Sequence, residues 1–226
     1  MGVIRTLVAF TGYSGLATVG AFTIFTRRSK FVPLSPTDYI FNNTFFARYN
    51  PDTNPTMNDL CVRTVPLTQI RPELLEKEER LVEAFCAGVW GGLGYAFQRR
   101  YLERKYRGAN TSHQLWDAPA LKSSNYPIGT QITDHFEVLS HTPNSIIVRC
   151  GDSPMKKDVR ASDGLFEMAA FVREEEGVAE FQLKSCFYQG LGKVEGSTRP
   201  MPAWMEWAHR QYTKLWMESA VRNVMR

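Results

Sequence analysis

The chain alternates apolar and polar positions most regularly between Gly129 and Gly190. In GTQITDHFEVLSHT, Ile132, Phe136 and Val138 fall on one side of a two-residue period, and Thr133, His135 and Glu137 on the other. Such alternation predicts a half-buried β-strand. NSIIVRCGD is a short apolar run closed by turn residues. DGLFEMAAFVREEEGVAEFQLKSCFYQG reads as two strands joined at Glu175-Glu176-Gly177. Phe166, Met168, Ala170 and Val172 share a face of the first, and Phe181, Leu183 and Phe187 a face of the second. Four strands in meander order predict an antiparallel sheet with one apolar face.

Two other stretches follow a helical period. Pro72 and the acidic residues Glu73, Glu76, Glu78 and Glu79 suit a helix start, while Arg99, Arg100, Arg104, Lys105 and Arg107 suit its end, with Gly108 as a stop. One helix, or two broken at the glycines, is predicted over roughly Pro72 to Arg107. MPAWMEWAHRQYTKLWMESAVRNVMR is a helix opened by Pro202, with Trp204, Ala208, Tyr212 and Leu215 in a stripe that Trp207 and Trp216 broaden. A one-sided sheet and an amphipathic helix bury each other when the helix lies across the sheet, which predicts an α+β fold.

The amino-terminal end has a different pattern. Thr6 to Thr26 runs 21 residues without a charge and is followed by Arg27, Arg28 and Lys30, whereas a bilayer core needs about 20 apolar residues. The segment predicts a single-pass transmembrane helix with the main domain cytosolic, by the positive-inside rule. A cleaved signal peptide, a mitochondrial presequence and a buried core helix are the other readings. The organisation expected is an anchor with its basic flank over residues 1–30, an ordered connector over 31–71, rich in Pro, Asn, Thr and Asp, and the α+β domain over 72–226.

Composition narrows the function classes. The 226 residues carry a formal net charge of +4, with no basic stripe interleaved with stacking aromatics, so nucleic acid is not an expected partner. Cys61, Cys86, Cys150 and Cys186 stand far apart with no CxxC pair, so neither a metal site nor a disulfide framework is expected, and no cofactor motif appears. Gly88, Gly91, Gly92 and Gly94 satisfy neither GxGxxG nor the phosphate loop. Gly88 and Gly92 are instead one helical turn apart, a spacing that lets backbones approach closely. They suit packing on the sheet or the anchor, or shallow insertion in a membrane.

The run from YPIGTQITDHFEVL through GLFEMAAFV and FQLKSCFYQG to HRQYTKLWMESAVRNV resembles an uncharacterised family of small fungal and bacterial proteins. That family is related to the helix-grip superfamily of START lipid carriers and aromatic polyketide cyclases. The amino-terminal segment with GVWGGLGYAFQRRYLERKY resembles the longer, membrane-anchored forms of filamentous fungi, some of which act in natural-product pathways. The resemblance implies a sheet gripping the carboxy-terminal helix around a hydrophobic cavity, lined here by Phe136, Phe166, Met168, Phe181, Phe187, Tyr212 and Trp216. It brings no catalytic motif, so the chemistry is read from this chain.

Asp134 shares the frame of Ile132, Phe136 and Val138, and a carboxylate in an apolar cavity is a candidate general base. His209, one turn from Tyr212 and two from Trp216, is a candidate donor from the helix, and Tyr188 at the end of the last strand is another. No GxSxG elbow, HExxH or paired-acid spacing points to a hydrolase or metalloenzyme. The expected function is therefore a membrane-associated cyclase or isomerase closing an aldol, lactone or pyrone ring on a polyketide-type intermediate, beside other pathway enzymes. The alternatives are a non-enzymatic lipid or intermediate carrier, or a mitochondrial membrane assembly factor whose glycine helix binds a partner helix.

Overall fold

The computed structural model describes residues 18–196 and 200–226. Within them, seven strands form one antiparallel sheet: β1 Lys30–Val32, β2 Met57–Pro66, β3 Gln131–Ile132, β4 Phe136–Thr142, β5 Ser145–Gly151, β6 Asp163–Arg173 and β7 Val178–Tyr188. Their spatial order is β1-β2-β7-β6-β5-β4-β3. The meander from β3 to β7 is built of hairpins, and the longest turns at Gly177, whose φ of +64° suits a residue without a Cβ. Then β2 closes on β7 over its whole length, from Met57 opposite Phe187 to Pro66 opposite Val178.

The helices are α1 Tyr39–Asn42, α2 Thr44–Tyr49, α3 Glu78–Gly91, α4 Leu93–Tyr106, α5 Ala118–Ser123 and α6 Ala203–Arg222. They cover both faces of the sheet. On one face, Phe85 and Trp90 of α3 and Trp216 of α6 pack with Phe136, Phe166 and Phe181 in the main core. On the other, Ile40 of α1 and Tyr49 of α2 pack with Ile147, Leu165, Cys186 and Tyr188. The sheet thus has two apolar faces, not the single one that alternation predicts. Residues 31–71 are more than a connector, because they supply α1, α2 and the interior strand β2.

The break between α3 and α4 falls at Gly92, whose extended backbone (φ −83°, ψ 176°) ends one helix and starts the next. A Cβ at Gly88 would lie 2.6 Å from the Ala220 carbonyl oxygen, and one at Gly92 would strike the Gly88 carbonyl and Ser219 Oγ. The two glycines therefore let α3 close on α6 of the same domain.

The transmembrane helix expected over Thr6–Thr26 is overturned. No helix among the described residues is long and apolar enough to cross a membrane. The part of that expectation on residues 1–17 lies outside the described residues, while 18–26 are helical. This described stretch lies against the domain: Phe22 and Phe25 border a groove with Leu93 and Leu215, and the Arg222 guanidinium sits 4.4 Å from the centre of the Phe25 ring. Just beyond it, Ser29 Oγ donates to Glu218 Oε1 at 2.7 Å. The single-pass topology, and the orientation drawn from it, fall with the helix. What stands is an α+β fold with a seven-stranded antiparallel sheet and a carboxy-terminal helix.

Candidate functional site

Helix α6 lies on β2 and β7. Its buried side carries His209, Tyr212, Thr213 and Trp216, at the spacing of one helical face. Between these residues and the sheet is a cavity of about 380 Å³, walled by Phe136, Phe166, Phe187, Tyr212 and Trp216 and reached by His135 and His209. The helical stripe expected through Trp204 and Trp207 is displaced: both indoles are exposed, in the turns of α6 that precede the cavity.

Aromatic side chains make the floor. Trp216 meets Trp90, Tyr95, Phe166 and Tyr212 edge-on, with ring centres 5.1 to 5.6 Å apart. Edge-to-face contact is the favoured geometry for such rings and keeps them in register. Two polar atoms of the lining side chains, Tyr212 Oη and Trp216 Nε1, are buried from solvent without a partner in hydrogen-bonding geometry. Burial pushes the Tyr212 phenol up to about 12, and the nearby Trp216 indole, though out of hydrogen-bonding line, offsets part of the rise. Both groups are thus donors near neutrality, and buried donors left unpaired are costly until something accepts from them.

The loop that rims the cavity is firmly held. Arg149 makes a buried bidentate contact with Asp163, Nε to Oδ1 at 2.9 Å and Nη2 to Oδ2 at 2.6 Å, and also donates to the carbonyls of Lys157 and Asp158. Arg160 donates to the carbonyls of Lys156 and Asp152. Two guanidinium forks therefore clamp the segment that brings Asp152 and Ser162 to the cavity.

His209 is fixed from the sheet side. Its Nε2 lies 3.2 Å from Asp59 Oδ2 of β2, 3.2 Å from Ser185 Oγ of β7 and 3.3 Å from Thr213 Oγ1. Its ring stands edge-on to Phe187 at 5.1 Å. Serine, histidine and aspartate meet here, but on one nitrogen. A nucleophile relay needs the serine and the carboxylate on opposite ring nitrogens, so this cluster is not a hydrolase triad. His135 reaches the cavity from the other side, its ring tilted against Tyr106 with centres 4.8 Å apart and its Nδ1 3.2 Å from the Thr133 carbonyl. Burial holds it below the usual histidine value, outweighing the upward pull of that carbonyl and of Asp134 and Asp152.

The sequence-based site is partly regrouped. Phe136, Phe166, Phe187, Tyr212, Trp216 and His209 come together as expected residues of one cavity. Met168 and Phe181 are buried in the main core and do not line it. Asp134 is not in a strand frame: Thr133 and Asp134 both adopt left-handed backbone, φ +49° and +56°, and make the turn between β3 and β4. Its Oδ1 accepts from Gln114 Nε2 at 3.2 Å and Ser153 Oγ at 2.6 Å, so it ties two loops together. Tyr188 lies on the opposite face of β7 from Phe187, against Phe46 of α2 at 5.5 Å. The sheet itself separates it from His209.

Asp59, Ser185 and His135 were missed. Met57, Asp59, Cys61, Arg63 and Val65 do alternate in the sequence, but the polar residues among them hide the strand, and only the pairing with β7 shows which face Asp59 shares. Fold and site together define an α+β protein with an aromatic cavity between sheet and carboxy-terminal helix. No family model, curated protein or solved structure matches the chain.

Proposed function

We propose that the cavity binds a small, largely apolar molecule bearing a conjugated ring and a carbonyl oxygen, and that His209 moves a proton on it in a cyclase- or isomerase-type reaction. A polyketide-type intermediate has this chemistry. The observation that carries the reading is the pairing of five aromatic walls with two unpartnered donors, Tyr212 Oη–H and Trp216 Nε1–H, beside a histidine. The rings stack on a flat ligand, and the donors, once the side chains turn them toward the cavity, hold its oxygen where negative charge develops as a proton leaves carbon. The five aromatic walls also hold a flexible chain folded, which brings its reacting carbons together. A helix laid over an antiparallel sheet with a cavity between them supports the helix-grip resemblance as well.

The test uses 2-tetralone, a fused-ring ketone with acidic C–H next to its carbonyl. Ligand-detected NMR is expected to show saturable binding to the full chain, and hydrogen–deuterium exchange at the carbon beside the carbonyl faster than in buffer. Tyr212→Phe, which keeps the ring and removes the donor, is expected to slow the exchange by about 10-fold, the loss of roughly 1.4 kcal/mol. Binding without accelerated exchange leaves a carrier and removes the enzyme reading. Failure to bind removes both.

A further inference from the structure

Asp59 occupies the helix-facing side of β2, opposite Ser185 in the register with β7. Its side chain is 2% exposed, yet neither carboxylate oxygen has a partner in hydrogen-bonding geometry. A carboxylate in that position is costly unless a charge or a donor compensates it. The cations nearby are otherwise engaged: Arg63, four residues on along the same face, pairs with Glu218 at 3.4 Å, and Lys214 lies over the Phe31 ring at 5.9 Å. What meets Asp59 is His209, through Nε2 at 3.2 Å. The other ring nitrogen, Nδ1, has no hydrogen-bonding partner among the described residues.

A neutral imidazole carries its proton on one nitrogen, and the neighbours decide which. A lone pair on Nε2 would face the Asp59 carboxylate, so the proton belongs on Nε2. Ser185 and Thr213, being hydroxyls, adapt to either state. We propose, building on the reading of the cavity as an acid–base site, that Asp59 is a positioning residue that holds His209 as the Nε2–H tautomer and leaves Nδ1 as the atom that takes and returns a proton. The contact lies off the hydrogen-bonding line, and catalytic contacts of this kind tighten on substrate binding.

This defines the substrate class as a carbon acid, a ketone or β-dicarbonyl with an enolisable C–H. Nδ1 takes the proton, the C–H electron pair becomes the enolate double bond, and the carbonyl π pair moves to oxygen. That oxygen accepts from Tyr212 Oη–H and Trp216 Nε1–H. In an isomerisation, Nδ1–H returns the proton to a different carbon of the conjugated system. In an aldol closure, the enolate carbon attacks a second carbonyl of the same molecule and Nδ1–H protonates the new alkoxide. Only a proton moves, and neither route needs an oxidant, a reductant or a second substrate.

Two measurements on the full chain test the dyad. Long-range 1H–15N NMR of the histidine rings is expected to show neutral His209 protonated on Nε2, and Asp59→Asn, which can donate as well as accept, to shift the population toward Nδ1–H. With 2-tetralone, Asp59→Asn is expected to slow the exchange by about 100-fold without weakening binding, and His209→Gln to abolish it. A wild-type His209 protonated on Nδ1, or an Asp59→Asn protein that exchanges 2-tetralone at the wild-type rate, overturns the proposal. Should Asp59→Asn fail to fold, the wild-type spectrum alone decides. Should 2-tetralone not bind, the cavity reading falls, while the tautomer still decides the dyad.

Discussion

At the scale of single residues, the two roles that carboxylates play here are separable by substitution. Asp134 is a clamp in a left-handed turn. Asparagine keeps an acceptor oxygen and tolerates that backbone, whereas alanine keeps neither advantage. Asp134→Asn is therefore expected to stay within about 1 kcal/mol of wild type in urea unfolding, and Asp134→Ala to lose roughly 1–3 kcal/mol; a base at this position would instead lose ketone exchange in the asparagine variant at unchanged stability. His135 adds a pH dependence whose sign follows from its environment. Its folded value is held below 6.5 by burial, so the unfolded chain takes up the proton first. The stability it contributes is present above the unfolded value and is lost as pH falls through the folded one. Between about pH 7.5 and about pH 5.5, the wild type is expected to lose more stability than His135→Gln in denaturant titrations at the two values. Equal losses would assign the pH dependence to other groups.

At the scale of elements, the legible parts were those whose pattern repeats. The period-two runs of β4, β6 and β7, the short apolar run of β5 and the basic end of α4 follow from residues close in sequence, and the structure has them, although α3 starts at Glu78 and Pro72–Leu74 is a separate 3-10 turn. The residues that were misplaced depend on partners far away. Alternation carried across Ile132 to Phe136 points Asp134 inward, but two successive left-handed residues interrupt the strand there. Tyr188 ends the strand that lines the cavity, yet its own frame, with Lys184 and Cys186, faces α1 and α2. Strand β2 is not legible as a strand in the pattern because Asp59 and Arg63 are polar on a face that looks inward, and their compensation comes from α6. Glycine spacing told of close approach without naming the partner, which is Ala220 of α6. Gly88→Ala is expected to cost about 1–3 kcal/mol, since the added methyl meets backbone that cannot swing away. Gly108→Ala, where a Cβ meets nothing within 4 Å, is the control, and equal costs in thermal melts would refute the close-packing role.

At the scale of the whole molecule, the sheet couples a cavity on one face to a small helical layer on the other. Lys184 pins that layer: its Nζ lies 3.0 Å from Asp38, which caps α1, and 3.0 Å from Glu167 of β6. Burial alone would lower its affinity for a proton, but the two carboxylates outweigh burial and raise it. Replacing Lys184 by methionine keeps the stem and strands Glu167, with its side chain 6% exposed, beside an uncompensated Asp38. Breaking a buried pair from one side is expected to destabilise the fold by roughly 3–5 kcal/mol. The cavity, however, is lined from the opposite face of the same strands. If the two cores are one cooperative unit, Lys184→Met lowers the denaturation midpoint seen by tryptophan fluorescence and by far-ultraviolet circular dichroism alike, while the folded protein binds 2-tetralone as tightly as wild type. Separate midpoints for the two probes would mean that the outer layer melts by itself. Weakened binding at full folding would mean that the layer shapes the cavity through the sheet.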